Sequence, residues 1–293
     1  MEENNERLIE ELSGKDVPMS VVFSEVKQKL KNAGIEAASE AEWLIAECLN
    51  KNRNEIRLQS TVTKEEYKKI AQATAKREKH MPLTKIFNRA CFYGLDFYVD
   101  KNVLSPRPET ELLVEEVIKT VNSSELKKVN ILDLCTGSGA IAVVLAKKTN
   151  AKITASDVSE SALDVAKKNA AAHDANVKFV SSDLFKNIKG KFDYIVSNPP
   201  YIKTQDILAL EDEVKKNDPY IALDGGEDGL YFYREIARLA PEFLNKNGKL
   251  FLEIGIGEAK SVKKLLQKNF ENIKIKKDYS AIERIIVADL KGK

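Results

Sequence analysis

The stretch Phe192-Asp-Tyr-Ile-Val-Ser-Asn-Pro-Pro-Tyr201 predicts the strand around which the rest of the chain is arranged. It begins as an alternating run that is rich in aromatic and β-branched side chains, which is typical of a strand. Pro199 and Pro200 must end that strand because neither can donate a ladder hydrogen bond. Asn198 is therefore expected at the carboxyl edge of a sheet, where open α/β sheets bind their ligands.

The tetrapeptide Asn198-Pro-Pro-Tyr201 is rich in hydrogen-bond acceptors. Pro199 and Pro200 have no N–H and offer only carbonyl oxygens, and the Asn198 side chain adds another oxygen. Two acceptors at a fixed separation suit the hydrogens of a planar NH2 group, and the Tyr201 ring suits its π-face. Holding both hydrogens aims the nitrogen lone pair at an electrophile, and orientation of this kind is a large catalytic effect. The alternative is a proline turn that only closes a buried strand.

Strands and helices alternate over residues 129–200, which predicts an α/β fold with a parallel sheet. The predicted strands are 129–135, 152–157, 177–183, 192–197 and, after a long excursion, 249–254. Residues 272–276 and 283–289 have no helix between them and are predicted to form a terminal antiparallel hairpin. A seven-stranded sheet that ends in such a hairpin mostly handles adenosyl groups.

A glycine-rich turn, Asp133-Leu-Cys-Thr-Gly-Ser-Gly139, follows the first of these strands. Glycines let the backbone approach a ligand, and the helix that follows offers N–H groups. Asp157 lies 20 residues after Gly137 and would accept the hydroxyls of a ribose. The turn and Asp157 together predict a nucleoside site. The alternative is a tight turn beside an ordinary aspartate at a strand end.

Asp183 and Leu184 follow the third predicted strand. The Asp183 carboxylate can accept the exocyclic amine of adenine, and Leu184 or Phe185 can cover the base. The alternative for Asp183 is a residue that caps a helix.

Residues 137–142 also fit the loose dinucleotide pattern Gly-x-Gly-x-x-Ala, so hydride transfer is an alternative for this turn. Two observations favour methyl transfer. The strand that ends at Asn198 carries an amine-holding motif, and neither His80 nor His173 lies in a context typical of catalysis. Transfer of a sulfonium methyl group needs alignment rather than a strong base.

Composition limits the possible partners. The 293 residues carry a formal net charge of +2, and residues 1–90 hold 16 Lys or Arg against 15 Asp or Glu, so no large basic face for nucleic acid is predicted. We expect neither a signal peptide nor a membrane span. Cys48, Cys91 and Cys135 are odd in number and far apart, which predicts reduced thiols in a cytoplasm and no structural zinc or other metal.

The amino-terminal residues are predicted to be helical. Residues 20–30 have apolar side chains at helical spacing, and Gly34 is a plausible end to that helix. Ser39 with Glu42, and Thr63 with Glu66, match the capping-box pattern. From Pro82 the period changes to two, and residues 85–87 and 91–99 are predicted as short strands in a hairpin.

These motifs together resemble the release factor glutamine methyltransferases (the HemK/PrmC family). The resemblance runs in order along nearly the whole chain, and its sharpest elements beyond Asn198-Pro-Pro-Tyr201 are Pro106-Arg-Pro-Glu-Thr-Glu111 and Ala222-Leu-Asp-Gly-Gly226. Further elements are Phe92-Tyr-Gly94, Leu252-Glu-Ile-Gly255 and Asp278-Tyr-Ser280. Asn-Pro-Pro-Tyr alone is shared with methyltransferases that act on adenine N6 and other amino groups.

The resemblance implies a Rossmann-like fold that uses S-adenosylmethionine, gives S-adenosylhomocysteine and needs no metal. It implies a helical substrate-docking domain at residues 1–81, a β-hairpin linker at 82–104 and a methyltransferase domain at 105–293. The implied cofactor residues are Asp133, Cys135, Thr136, Gly137, Ser138, Gly139, Asp157, Asp183, Leu184 and Asn198. The implied substrate residues are Asn198, Pro199, Pro200 and Tyr201, with Asn198, Pro199 and Tyr201 catalytic.

The implied reaction is methylation of the side-chain amide nitrogen (N5) of the glutamine in the Gly-Gly-Gln motif of class 1 peptide chain release factors. The expected enzyme is a cytoplasmic monomer without a stable nucleic-acid partner. Alternatives are methylation of a ribosomal protein glutamine, methylation of adenine N6 in nucleic acid, and a non-catalytic nucleoside-binding module.

Three details of the sequence qualify the resemblance. Cys135 and Ala281 stand where relatives commonly have glycine, and Ser105 replaces a common aliphatic residue.

Two charged residues outside the central motifs have predicted roles. Arg107, between two prolines, is expected to face an anionic partner or to pair with Glu109 or Glu111. In the glycine-rich stretch after Ala222, Asp228 is expected to cap a helix over residues 229–244.

Overall fold

The computed structural model describes residues 16–292, and the chain divides into two compact units between Asn88 and Arg89. Each unit has its own hydrophobic core. Within residues 16–292, no helix combines the length and the apolar composition that crossing a membrane requires.

The first unit is built from helices. They are α1 (Met19–Asn32), α2 (Ala37–Leu49), α3 (Arg53–Leu58), α4 (Lys64–Arg77) and α5 (Leu83–Ile86), with two short antiparallel strands, β1 (Val17–Pro18) and β2 (Thr61–Val62). Leu30, Leu44 and Ile70 come from three of these helices and are almost fully buried in one core. The prediction of helices is confirmed here, and its part at residues 1–15 lies outside the described residues.

Two of the predicted helix ends are confirmed. Gly34 has a φ of +75° just after α1, and the N–H of Ile35 donates to the Leu30 carbonyl at 3.0 Å, as in a Schellman motif. Before α4, the Thr63 side chain accepts the Glu66 N–H while the Glu66 carboxylate accepts the Thr63 N–H, which makes a reciprocal capping box.

The predicted capping box at Ser39 and Glu42 is wrong. Helix α2 already begins at Ala37, so Ser39 lies inside its first turn. The Glu42 carboxylate instead accepts hydrogen bonds from Arg53 and Arg57. The Ser-x-x-Glu pattern is short enough to occur by chance within the first turn of a helix. The Glu42 carboxylate, which the cap would need, is already paired with the arginines of α3.

The predicted strand at residues 85–87 is also wrong, because these residues end helix α5 and the turn after it. The hairpin is formed within residues 89–98, by β3 (Arg89–Phe92) and β4 (Leu95–Tyr98). Its two central turn residues, Tyr93 and Gly94, both have positive φ, which is the turn that matches strand twist. Three residues are too few to distinguish a period of two from a helical turn.

The second unit contains the predicted seven-stranded sheet. Its strands are β5 (Asn130–Leu134), β6 (Lys152–Asp157), β7 (Val177–Ser181), β8 (Phe192–Ser197), β9 (Leu244–Glu253), β10 (Phe270–Lys277) and β11 (Glu283–Leu290). The spatial order is β10-β11-β9-β8-β5-β6-β7. The strands from β7 to β9 in this order are parallel, and β11 pairs antiparallel with both β9 and β10. The predicted fold class, with its terminal antiparallel hairpin, is confirmed.

Helices cover both faces of this sheet. The helices of this unit are α6 (Thr110–Asn122), α7 (Ala140–Lys148), α8 (Glu160–Ala172), α9 (Asp212–Asn217), α10 (Tyr231–Phe243) and α11 (Ala259–Leu266), and of these the short α9 buries no residue and belongs to neither core. One core contains Ile195 with side chains from α10 and α11, and the other contains Tyr194 and Val196 with side chains from α6 and α7. Neighbouring residues of β8 therefore face opposite cores, as the pleat requires.

The parallel register places the predicted site residues at one edge. Leu134 of β5 pairs with Ser197 of β8 and with Ser156 of β6, so the chain leaves all three strands at nearly the same level. The Ser197 hydroxyl donates to the Leu134 carbonyl at 2.8 Å and fastens the two central strand ends together. Asn198 and Cys135, the next residues along each strand, emerge side by side.

The predicted cap at Asp228 is wrong in its position. Helix α10 begins at Tyr231 rather than at residue 229, and its first flanking residue, Leu230, makes no side-chain cap. The Asp228 carboxylate accepts the Leu230 N–H at 3.1 Å and pairs with Arg234 at 2.8 Å. The Asp228 carboxylate therefore orders the turn that precedes α10 rather than capping the first turn of the helix.

Ala281 lies in the turn between β10 and β11 with a φ of +63°. The turn is held by Asp278, whose carboxylate accepts the N–H groups of Ser280 and Ile282. This left-handed conformation costs a residue with a Cβ about 1–2 kcal/mol and costs glycine almost nothing. The turn geometry at this position therefore favours glycine.

We expect Ala281→Gly to raise the free energy of unfolding by about 0.5–1 kcal/mol, the left-handed penalty of alanine less the extra unfolded-chain entropy of glycine. Urea denaturation followed by circular dichroism measures the change. Ala171→Gly is the matched control, because Ala171 is exposed within α8 and there glycine should destabilise by up to about 1 kcal/mol. A loss of stability at both positions would contradict the explanation.

Candidate active site

A cleft opens at the carboxyl edge of the sheet in the second unit. Its floor is the turn after β5, and its sides come from the ends of β6 and β8, the turn after β7 and the segment before α6. Pro219, Ile221 and Phe232 contribute apolar surface from the long excursion between β8 and β9 and from helix α10. A concave site that is mostly apolar with a few polar groups is suited to a small-molecule ligand.

The cleft brings together most of the residues predicted from the sequence. Those that line it are Cys135, Thr136, Gly137, Ser138, Asp157, Asp183, Leu184, Asn198 and Pro200. Four predicted residues are not part of the lining as described: Asp133, Gly139, Pro199 and Tyr201. Asp133 and Gly139 belong to the segment that forms the floor of the cleft, and Pro199 and Tyr201 flank Pro200 after β8.

Asp133 supports the glycine-rich turn from below. It is fully buried, and its Oδ2 accepts the Thr136 hydroxyl at 2.6 Å, while the Thr136 N–H donates to the Ser156 carbonyl of β6. Burial raises the pKa of the Asp133 carboxyl to about 7. Asp133 therefore fixes the path of the turn rather than facing the cleft.

The two glycines of the turn are required for different reasons. Gly137 has a φ of +53° and lies on the cleft surface, where a Cβ would meet no described atom within 4 Å, so only its conformation demands glycine. Gly139 has a φ of +79°, and a Cβ there would come within 2.9 Å of the Ala166 Cβ on α8. Gly139 thus allows α7 to begin close against α8.

Asp157 closes the turn at the end of β6. Its Oδ2 accepts the Gly137 N–H and its Oδ1 accepts the Ser159 N–H, both at 2.9 Å. Burial raises the pKa of the Asp157 carboxyl, and the backbone hydrogen bonds oppose that shift. Each carboxylate oxygen has a second lone pair, so hydrogen bonds from two vicinal hydroxyl groups remain compatible with this geometry.

Leu184 rather than Phe185 reaches the cleft on the β7 side. Leu184 has a φ of +46°, and the Ser182 hydroxyl donates to its carbonyl at 2.8 Å, which holds the turn. Phe185 is buried in the core and stacks on Phe243 with ring centroids 4.7 Å apart. The alternative role of Asp183 as a helix cap is wrong, since a turn and not a helix follows it.

Asn198 is half-buried at the lip of the cleft, and its side chain is held from behind. Its Nδ2 donates to the Thr110 hydroxyl oxygen at 3.2 Å, and the Thr110 hydroxyl donates to Oε2 of Glu253 at 2.6 Å. Thr110 begins α6 and Glu253 ends β9. Sequence reasoning missed both residues, although a charged residue at the end of the apolar strand β9 was a signal that something polar lies at that edge.

Tyr201 is enclosed by glycines from distant parts of the chain. A Cβ on Gly225 would lie 2.6 Å from the Tyr201 Cα, one on Gly229 would lie 2.6 Å from the Tyr201 carbonyl oxygen, and one on Gly255 would lie 3.1 Å from the Tyr201 ring. The next residue, Ile202, accepts the Gly225 N–H at 2.7 Å and donates to the Leu223 carbonyl. The glycine-rich stretch at 222–226 therefore positions the end of the Asn-Pro-Pro-Tyr segment.

Arg107 also lines the cleft, and its pairing differs from the expectation. It donates to Oδ2 of Asp218 at 2.9 Å, and the Asp218 side chain is almost fully buried. The Glu111 carboxylate accepts the Tyr93 N–H instead. The ion pair fixes the segment before α6 to the excursion that contains Pro219. The sequence could not predict this pair, because its two residues are 111 positions apart.

Two known family models match this chain, one in each of the two units. A family model described as "Methyltransferase small domain" matches residues 105–226, and one described as "PrmC N-terminal domain" matches residues 22–87. A release factor glutamine methyltransferase of Agrobacterium fabrum is 36% identical over 282 residues, which cover 93% of this chain and 98% of that protein. The chain belongs to the release factor glutamine methyltransferase family. The resemblance inferred from the motifs is confirmed.

Other members of the release factor glutamine methyltransferase family agree. The Fusobacterium nucleatum protein of that name is 37% identical over 276 residues, covering 91% of this chain and 77% of its own. Among solved structures, a methyltransferase from Pyrococcus furiosus superposes with a TM-score of 0.52 at 22% identity, covering 68% of this chain and 90% of its own. At that identity the superposition establishes the fold.

Cys135 holds a left-handed backbone conformation in the turn after β5. The residue has a φ of +59°, lines the cleft and is half-buried, and burial raises the pKa of its thiol. Cys48, Cys91 and Cys135 are all free, as the sequence predicted. The left-handed backbone at position 135 is the constraint that glycine satisfies without strain.

We expect Asp157→Ala to weaken the binding of S-adenosylmethionine about 10–100-fold, because it removes a carboxylate that both faces the cleft and fastens Gly137. Isothermal titration calorimetry measures the affinity. Asp164→Ala, at an exposed residue of α8, is the control and should bind like the wild type. Undiminished binding by Asp157→Ala would exclude a ribose-binding role.

Proposed function

We propose that this protein transfers the methyl group of S-adenosylmethionine to the side-chain amide nitrogen of the glutamine in the Gly-Gly-Gln motif of class 1 peptide chain release factors. The observation that carries the proposal is the Asn198 carboxamide, which lies at the lip of the cleft with its NH2 group bound to Thr110. Its oxygen is the atom left to accept from a substrate NH2 group. The names of the relatives agree with this substrate.

The residues of the cleft fit the proposed cofactor. A turn with positive φ at Cys135, Gly137 and Gly139 lets the backbone approach a nucleoside, Asp157 supplies acceptors for ribose hydroxyls, and Leu184 supplies an apolar surface for a base. When bound, S-adenosylmethionine supplies a methyl group on a sulfonium, whose C–S bond breaks as the amide nitrogen forms the new bond and then loses a proton to water. The cleft side chains that we assign to binding need no metal for that chemistry.

The chain's own contribution is orientation. The oxygen of Asn198 and the carbonyl of Pro199 accept the two hydrogens of the glutamine NH2, so the amide plane is fixed and the lone pair faces the cleft. Pro200 lines the adjacent wall, and Tyr201, held by Gly225 and Gly229, sets the direction in which the chain leaves. We assign Tyr201 the flank of the substrate amide.

The alternative acceptor is adenine N6, because the same tetrapeptide suits any planar NH2 group. A net charge of +2 over 293 residues offers little to neutralise a nucleic-acid backbone. A ribosomal protein glutamine is the nearer alternative, since it presents the same amide.

One assay distinguishes the three acceptors. It uses labelled S-adenosylmethionine and four candidate acceptors: release factor, its Gly-Gly-Gln glutamine variant, ribosomal protein and DNA. Label in the release factor but not in its variant supports the proposal, and label only in DNA or ribosomal protein overturns it.

We expect Asn198→Ala to lower kcat for release factor methylation about 100-fold, because the amide loses one of its two fixed acceptors. Cofactor binding by calorimetry should be retained, which separates substrate orientation from cofactor affinity. Asn150→Ala is the control, because Asn150 is exposed just before β6 at the opposite edge of the sheet. Unchanged kinetics of Asn198→Ala would contradict the proposed clamp.

We further propose that the helical unit contacts the release factor and that the enzyme acts in the cytoplasm as a single chain. Trp43 is 48% exposed on α2, with the Arg53 guanidinium 5.7 Å from its ring centre. Tryptophan and arginine are enriched among the residues that carry binding energy at protein interfaces.

We expect Trp43→Ala to raise KM for the intact release factor about tenfold and to leave KM for a short Gly-Gly-Gln peptide unchanged. Steady-state kinetics with both substrates measures the difference. Leu58→Ala tests another exposed apolar residue of the same unit, 86% accessible on α3. Equal effects of Trp43→Ala on the two substrates would contradict a docking role for this face.

A further inference from the structure

Two buried side chains at the cleft, Glu253 and Thr110, form a chain of hydrogen bonds that ends at the half-buried Asn198. Glu253 and Thr110 are 2% and 5% exposed, so water does not compete for their bonds. The Thr110 oxygen lies 2.6 Å from the Glu253 carboxylate and 3.2 Å from the Asn198 Nδ2. These hydrogen bonds join the end of β9 to the residue after β8 through the first residue of α6.

The chemistry of the three groups determines which atom donates in each of these hydrogen bonds. An ionised carboxylate only accepts, so the Thr110 hydroxyl must turn its single proton toward Glu253. The Thr110 oxygen then has only lone pairs for Asn198, and only the NH2 end of the carboxamide can donate to them. If Glu253 carried a proton, it could donate to Thr110, and the Thr110 hydroxyl could then donate to the carboxamide oxygen instead.

The surroundings of Glu253 determine where this reversal occurs. Burial raises the pKa of the Glu253 carboxyl to about 7, and Glu109 before α6 acts in the same direction. The hydrogen bonds from Thr110 and Asn198 and the positive charge of Arg284 on β11 oppose it, with Arg284 itself paired to Asp278 at 3.0 Å. From the remaining side, the Tyr233 hydroxyl of α10 donates to the Glu253 backbone carbonyl, and Tyr201 follows β8.

We propose that Thr110 and Glu253 are positioning residues that fix the Asn198 carboxamide with its oxygen toward the substrate amide. This inference rests on the proposed function, since it explains how the clamp for the glutamine NH2 is kept in its accepting orientation. The opposite orientation would present an NH2 group to an NH2 group, which provides no hydrogen bond. Neither positioning residue needs to touch the reacting atoms.

The test compares two substitutions that break the chain at different links. Thr110→Val keeps the shape of the side chain and removes its hydroxyl, and Glu253→Gln replaces the obligate acceptor with a group that can also donate. We expect both to lower kcat about tenfold, with cofactor affinity by calorimetry and KM for the release factor within about twofold of wild type. Thr110→Ser restores a hydroxyl and should recover most of the lost rate.

The pH profile distinguishes positioning from a general structural effect. In the wild type, kcat should rise with pH through the range around 7 in which Glu253 ionises, whereas Thr110→Val and Glu253→Gln should not show that rise. Thr120→Val is the matched control, because Thr120 lies in the same helix and its hydroxyl only bonds the Glu116 carbonyl. Thr120→Val should keep both the rate and the profile of the wild type.

A spectroscopic readout makes the inference independent of activity on any one acceptor. The side-chain NH2 signals of Asn198, assigned by their loss in Asn198→Ala, should shift with pH near 7 in the wild type and not in Thr110→Val. Two results would overturn the positioning role and leave the proposed function intact. One is a wild-type enzyme that methylates the release factor while its Asn198 NH2 signals do not shift with pH. The other is a Thr110→Val enzyme with wild-type kcat and pH profile. Failure of the wild type to methylate release factor, with the spectroscopic coupling present, overturns the proposed substrate and leaves the positioning of Asn198 intact.

Discussion

The parallel pairing of β5 with β8 is the constraint on which the rest of the site depends. Leu134 opposite Ser197 brings a nucleoside-binding turn and an amide-holding turn to the same edge, and the Ser197 hydroxyl locks that register. A slip of one residue would reverse the face of every side chain in β8 and move Tyr194 out of its core. Two packed cores thus enforce a geometry that the two turns alone could not maintain.

Around that edge, the chain accepts backbone strain and close approaches in order to bring polar groups together. Cys135 and Leu184 hold positive φ without being glycine, and Gly225 and Gly229 leave almost no space beside Tyr201. Such strain persists where the surrounding structure determines it. Here the surroundings are the ladder bonds of Ile202 to residues 223 and 225 and the carboxylate of Asp157 beneath the turn.

The sequence allowed the sheet, its terminal hairpin and most of the cleft to be predicted, because hydrophobic periodicity and proline or glycine at strand ends are local signals. The hydrogen bond between Thr110 and Glu253 could not be predicted, since it spans 143 residues, and the charge of Glu253 at the end of an apolar strand signals a polar site without naming its partner. The packing around Tyr201 could not be predicted for a similar reason, as glycines far along the chain enclose it. Local patterns failed where they were short: residues 85–87 fit a strand and a helical turn equally well.

The desolvated carboxyl groups at this edge are maintained at a cost in stability. The buried Asp133 and Glu253 and the half-buried Glu258 each have a pKa raised to about 7 by desolvation, above their ordinary values of 3.8 or 4.5. The folded state therefore binds more protons than the unfolded state between about pH 4 and pH 7, so the contribution of these groups to stability falls as pH rises through that window. Hydrophobic residues would avoid the cost. Only a carboxylate, however, can force the Thr110 hydroxyl to donate, and only a buried one does so without competition from water. The charge that weakens the fold near neutral pH is the charge that directs Asn198.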